Sequence, residues 1–116
     1  MKYQVIFFSI LLLSFTPLTF AEVFQERLQT AIAGGAPIID VRTPGEFAQG
    51  HAKGAQNIPL NVFEKNIAKI AKKGGPVVLC CRSGARAGNA QAMLQSKGIE
   101  AINAGPWQAV VKVQKS

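Results

Sequence analysis

Two hydrophobic periods alternate along this chain. Glu22 to Ala33 sets Val23, Phe24, Leu28, Ala31 and Ile32 three and four positions apart with charges between them, and Gly34-Gly35 ends the run. This predicts a first amphipathic helix. Pro37-Ile38-Ile39-Asp40-Val41 is a short apolar strand with an acid near its C-terminal end. The turn Arg42-Thr43-Pro44-Gly45 follows, in which Thr43 can cap a short helix begun by Pro44 and carrying Glu46 and Phe47. Gly50 to Pro59 reads as connection, with a minimal strand at Ala55 to Ile58. Asn61 can cap a helix from about Val62 to Lys72, with Phe63, Ile67 and Ile70 inward and Lys65, Lys69 and Lys72 on the wet face.

After Gly74-Gly75-Pro76 comes the β-branched run Val77 to Cys80, which suits a strand buried in a parallel sheet. A helix from about Ala87 to Lys97 turns Ala90, Met93 and Leu94 inward and stops at Gly98. Ile99 to Ile102 is the last strand, Asn103-Ala104-Gly105-Pro106 a turn, and Trp107 to Val113 a terminal helix. Strands alternating with helices, without hairpin signals, predict an α/β fold: a small parallel sheet flanked by helices on both faces. Ligand groups in such sheets gather beyond the carboxyl ends of the strands, where the sequence puts Asp40, Arg42 and Cys81.

The chemistry concentrates where the central strand ends, at Cys80-Cys81-Arg82-Ser83-Gly84-Ala85-Arg86. A strand-to-helix turn aims backbone N–H groups and the positive end of the helix dipole into its loop, and these favour an anion. Cys81, beside Arg82 and Arg86, is therefore the candidate nucleophile, with a lowered pKa. Gly84 and Ala85 carry too little side chain to keep a guest from the backbone. Cys80 reads as a buried core thiol. A bridge between adjacent cysteines demands a strained peptide, so no stable Cys80 to Cys81 disulfide is expected.

Met1 to Ala21 has one charge at Lys2, an apolar run from Val5 to Phe15, Pro17, and a Thr19-Phe20-Ala21 ending with small residues at cleavage spacing. It reads as a secretory signal peptide cut near Ala21, which leaves one domain over 22–116 and predicts an exported, periplasmic protein without stable membrane insertion after cleavage. The chain has 13 basic and 6 acidic residues; without the leader it loses one lysine and keeps an excess of six positive charges. That field draws small anions. No aromatic interleaving suggests nucleic acid. One histidine and two adjacent cysteines do not assemble a metal site.

Asp40-Val41-Arg42, Glu46-Phe47, Gly50-His51, Gly54-Ala55, Asn57-Ile58-Pro59 and Cys81-Arg82-Ser83-Gly84-Ala85-Arg86, in this order and followed by Asn103-Ala104-Gly105-Pro106-Trp107, resemble the rhodanese-like sulfurtransferases. The resemblance runs across nearly the whole chain after the leader. Cys80 stands where the family often has an aromatic residue, Ala52 where it often has isoleucine, and Pro106 where a second glycine is common.

The resemblance implies an enzyme without cofactor or metal. In it Cys81 takes sulfane sulfur from thiosulfate or a similar small anionic donor as a persulfide, and passes it to cyanide, a thiol or a protein acceptor. Arg82, Ser83, Gly84, Ala85 and Arg86 would bind the substrate, with Arg82 on the donor's sulfonate. Asp40, Arg42 and Glu46 would support the site, Arg42 pairing with Glu46 and Arg86 set against Asp40 or Glu46. His51 is expected in a hydrogen-bonded structural turn. A sulfur carrier or redox partner is the alternative reading. Phosphatases and arsenate reductases of the same fold place five residues between cysteine and arginine; here there are four, a cradle better matched to one sulfur atom. Under oxidation Cys80 could attack a sulfenic acid or persulfide on Cys81.

Overall fold

The computed structural model describes residues 14–116. Most of the predicted leader lies outside them, and its expected boundary at Ala21 falls in the first turn of α1 (Phe20–Ala33), which Thr19 caps by accepting the Glu22 N–H at 3.2 Å. Among the described residues no helix is long and apolar enough to cross a membrane.

Four strands, β1 (Ile38–Asp40), β2 (Gln56–Asn57), β3 (Val77–Cys81) and β4 (Ala101–Pro106), pair in parallel in the order β2-β1-β3-β4. The sheet separates two cores because successive side chains of a strand point to opposite faces. Ile39, Val41, Val77, Leu79 and Cys81 pack with Phe63, Ile67 and Ile70 and with Ala87, Ala90 and Leu94 of α4 (Ala85–Gln95). Ile38, Val78, Cys80, Ile102 and Ala104 pack on the other face with Leu28 and Ala31 of α1 and Val110 of α5 (Trp107–Gln114). Covered on both sides, all five residues of β3 are buried, as the continuous apolar run required.

The chain steps from β1 to β2 on one side and then crosses to β3 on the other. The crevice of this sheet therefore opens between the C-terminal ends of β1 and β3, at the reversal of strand order.

Two elements depart from the sequence expectation. The helix expected over Val62 to Lys72 is two 3₁₀ turns, Leu60–Val62 and Glu64–Asn66, followed by a short α3 (Ile67–Ala71). Asn61 caps nothing; Asn66 interrupts the segment, its side-chain amide donating to the Val62 carbonyl at 2.7 Å, which draws the backbone into the tighter turn. Phe63, Ile67 and Ile70 are nonetheless buried, since threefold and fourfold spacing serve both kinds of helix.

The second departure is at Asn103 to Pro106, which does not turn but continues β4. Its register against β3 slips: Leu79 faces Asn103, whereas Cys81 faces Pro106, so two steps on β3 match three on β4. The extra residue is a bulge, with Gly105 at φ 79°.

Candidate active site

Cys81 is the last residue of β3 and only 1% exposed. Its Sγ lies 2.9 Å from the Gly84 N and 3.5 Å from the Ala87 N, both of which donate to it. Burial opposes ionisation of this thiol, but the backbone N–H groups of Ala87, Gly84, Ser83 and Arg86 outweigh it, and the pKa falls below its ordinary value. Gly84 opens α4 at φ 103°, and a Cβ there would stand 3.2 Å from the Gly105 Cα. Only glycine takes this conformation beside the β4 bulge without strain.

The loop is held from three sides. Arg86 grips Glu46 through two parallel bonds, Nη1 to Oε1 at 2.7 Å and Nη2 to Oε2 at 3.0 Å. Glu46 is itself fixed in a capping box with Thr43 at the start of α2 (Pro44–Gln49). The Arg86 guanidinium, and after it the Thr43 backbone N–H, bring the Glu46 carboxyl down to about 2. Asn103, from β4, donates its side-chain Nδ2 to the Gly84 carbonyl at 2.9 Å. Ser83 supplies a weaker local bond, its Oγ accepting the Ala85 N–H at 3.4 Å. Arg82 is exposed and makes no side-chain hydrogen bond or ion pair among the described residues.

Asp40 and Arg42 do not meet Cys81. Asp40 is opposite Cys80 in the register and shares the α1/α5 face with it. Arg42 pairs with Asp40 and not with the Glu46 side chain: Nε lies 2.9 and 3.0 Å from the two carboxylate oxygens and Nη2 2.7 Å from Oδ2. Positions 40 and 42 fall on one face of an extended chain, while the capping box turns the Glu46 carboxylate towards Arg86.

From there Arg42 donates to the Gly50 carbonyl at 2.7 Å and the Glu46 carbonyl at 3.4 Å, and its guanidinium lies 5.1 Å from the ring centroid of Trp107. The pair thus anchors α2 at Glu46 and at its C-cap Gly50, and α2 holds Arg86. Trp107 and the amide of Asn57, which donates to the Asp40 and Arg42 carbonyls, belong to this frame; only their place in the family resemblance signals them in the sequence. His51 stacks on Phe47 with centroids 3.7 Å apart and Nδ1 2.8 Å from the Phe47 carbonyl oxygen, the structural turn expected of it.

Cys80 is wholly buried, and burial, followed by the negative charge of Asp40, pushes its thiol up to about 12. Both thiols are free, on opposite faces of the sheet. A hollow of about 500 Å³ lined by Val41, Thr43, Pro44, Leu60 and Arg86 opens at the same end of the sheet as the loop. A larger one of about 720 Å³, lined by Thr30, Pro37, Pro76 and Glu100, lies at the opposite end of the strands. Among the described residues no group of three or more histidine, cysteine or acidic side chains converges as a metal site.

The rhodanese-like domain family matches residues 21–110. The chain belongs to the rhodanese-like family. The uncharacterised protein YqhL of Bacillus subtilis is 40% identical over 88 residues, 69% of each chain. The thiosulfate sulfurtransferase PspE of Escherichia coli is 38% identical over 69 residues, 58% of this chain and 66% of the relative. Among solved structures, a rhodanese with anions from E. coli superposes with a TM-score of 0.60 at 34% identity, covering 65% of this chain and 91% of that one. Sulfur transfer, in this general sense, is the activity that membership brings to the rhodanese-like chain.

Proposed function

We propose that this protein moves sulfane sulfur from thiosulfate, or a donor of like chemistry, to a thiophilic acceptor through a persulfide on Cys81. The observation that supports this most directly is the sulfur held by the Gly84 and Ala87 N–H groups at the open end of the sheet. The Cys81 thiolate attacks the outer sulfur of thiosulfate; a new S–S bond forms, the old one breaks, and sulfite leaves with its electron pair. The persulfide anion takes the place of the thiolate among the same donors, which stabilise its charge without reorganisation. A cyanide carbon or a thiolate then attacks the terminal sulfur, thiocyanate or a new persulfide departs, and the Cys81 thiolate returns.

Arg82 meets the donor's sulfonate in this reading; its exposure in the loop and its fork of N–H donors support that role. Arg86 is committed to Glu46 and ties the start of α4, where the loop ends, to α2. Four residues between Cys81 and Arg86 support a guest the size of one sulfur rather than a phosphate. The leader pattern supports export to the periplasm.

Incubation with thiosulfate is expected to add the mass of one sulfur atom to the intact protein, and cyanide or a thiol to remove it. Cys81→Ala abolishes the gain and Cys80→Ala keeps it. Retention of the sulfur by Cys81→Ala sinks the assignment. Sulfur that loads but does not discharge to small acceptors favours the carrier reading instead.

A further inference from the structure

We propose that Asn103 is a positioning residue for the Cys81 sulfur, its side-chain amide clamping Gly84 to the β4 bulge so that the Gly84 N–H stays aimed at Sγ. This rests on Cys81 being the reacting thiol, as proposed above. Three bonds make the clamp. The Gly84 N–H donates to Cys81 Sγ at 2.9 Å, the Gly84 carbonyl accepts Asn103 Nδ2 at 2.9 Å, and Asn103 Oδ1 accepts the Gly105 N–H at 2.9 Å. A carboxamide supplies one donor side and one acceptor side, and a single orientation of Asn103 uses both.

The need for a clamp follows from Gly84 itself. Glycine adopts φ 103° without steric cost but also leaves it without steric cost, so the conformation must be imposed by the surroundings. On one side the Gly84 carbonyl accepts the Gly88 N–H at 2.8 Å, in the first turn of α4. On the other, the Gly105 Cα of the bulge lies against Gly84, and Asn103, in register opposite Leu79 on the α4 face of β4, reaches its carbonyl. Without Asn103 the α4 bond alone holds the peptide, and rotation of Gly84 carries its N–H off the sulfur.

The test reads the sulfur directly. In the full chain, the rate of Cys81 alkylation by iodoacetamide is followed against pH, with the modified peptide identified by mass spectrometry and folding checked by circular dichroism. Asn103→Ala removes both bonds and adds no charge; Asn103→Asp keeps the acceptor for Gly105 and loses the donor to Gly84. The alkylation midpoint is expected to rise by about one pH unit in both. Gln91→Ala is the control, because Gln91 ties α4 to β4 through the Ala101 carbonyl at 2.9 Å without approaching the loop. Its midpoint is expected to stay at the native value.

An unchanged midpoint in folded Asn103→Ala overturns the proposal, and if that variant does not fold, an unchanged midpoint in Asn103→Asp does so. An equal rise in Gln91→Ala overturns it as well, since general loosening then explains the effect. The readout does not involve sulfur transfer, so failure of the persulfide reading and failure of the clamp are told apart.

Discussion

Cys80 and Cys81 are one position and one sheet face apart, and that face decides their chemistry. Cys81 points to the side where α4 begins, so backbone N–H groups lower its pKa; Cys80 points into the α1/α5 core beside Asp40, and its pKa rises to about 12. The two shifts act on stability with opposite sign. A lowered Cys81 stabilises the fold above the thiol's ordinary value of 9.0, and that contribution is lost as pH falls through the lowered value. For Cys80 the unfolded thiol ionises near 9.0 and the folded one near 12, so the unfolded chain releases its proton first and stability falls across that window. Denaturant titrations between about pH 9 and 12 should show a shallower loss of stability in Cys80→Ala than in the native chain; parallel curves would contradict it. The same opposition of faces separates the two sulfurs, which disfavours a Cys80 switch on Cys81.

At the scale of elements, the reactive loop depends on a helix it does not belong to. α2 presents Glu46 to Arg86 and is tied towards β1 by Arg42 at the Glu46 and Gly50 carbonyls, and Asp40 neutralises the charge that Arg42 keeps buried at 5% exposure. Removing one partner of a buried pair leaves the other charge without compensation. Asp40→Ala is expected to cost about 3–5 kcal/mol in chemical denaturation. Sulfur transfer should fall with it, because α2 loosens. A loss below about 1 kcal/mol, the range of an exposed pair, would show the frame to be dispensable.

For the whole molecule, the governing quantity is charge: 13 basic residues face 6 acidic ones, and the proposed donor is an anion. Attraction summed over a basic surface raises encounter with anions and is screened within about 8 Å at physiological salt. The KM for thiosulfate should therefore rise with added sodium chloride while kcat changes little. Arg82→Ala should raise KM at low salt and flatten its salt dependence. A KM indifferent to both would remove Arg82 and the field from donor binding. The alternation of elements, the parallel sheet and both cores were legible in the chain, because a strand buried on two faces and a helix buried on one leave different periods. The break at Asn66 and the β4 bulge were not, since each goes with a bond between an amide side chain and the backbone, Asn66 donating to the Val62 carbonyl and Asn103 accepting the Gly105 N–H, that periodicity does not register.

By itself the sequence determined the fold class, the strand that ends in thiol, and the loop whose N–H groups an anion would fill, because these depend on local pattern and on the absence of side chains. Pairing was decided by the tertiary structure. Arg42 goes to Asp40 and Arg86 to Glu46, although the family resemblance implied Arg42 with Glu46 and left Arg86 between Asp40 and Glu46. Asn103 reaches Gly84 across nineteen positions because β4 pairs beside β3 with Asn103 opposite Leu79, on the face that α4 covers. A hydrogen bond is fixed by distance and direction in space, and these exist only once the sheet has set its register.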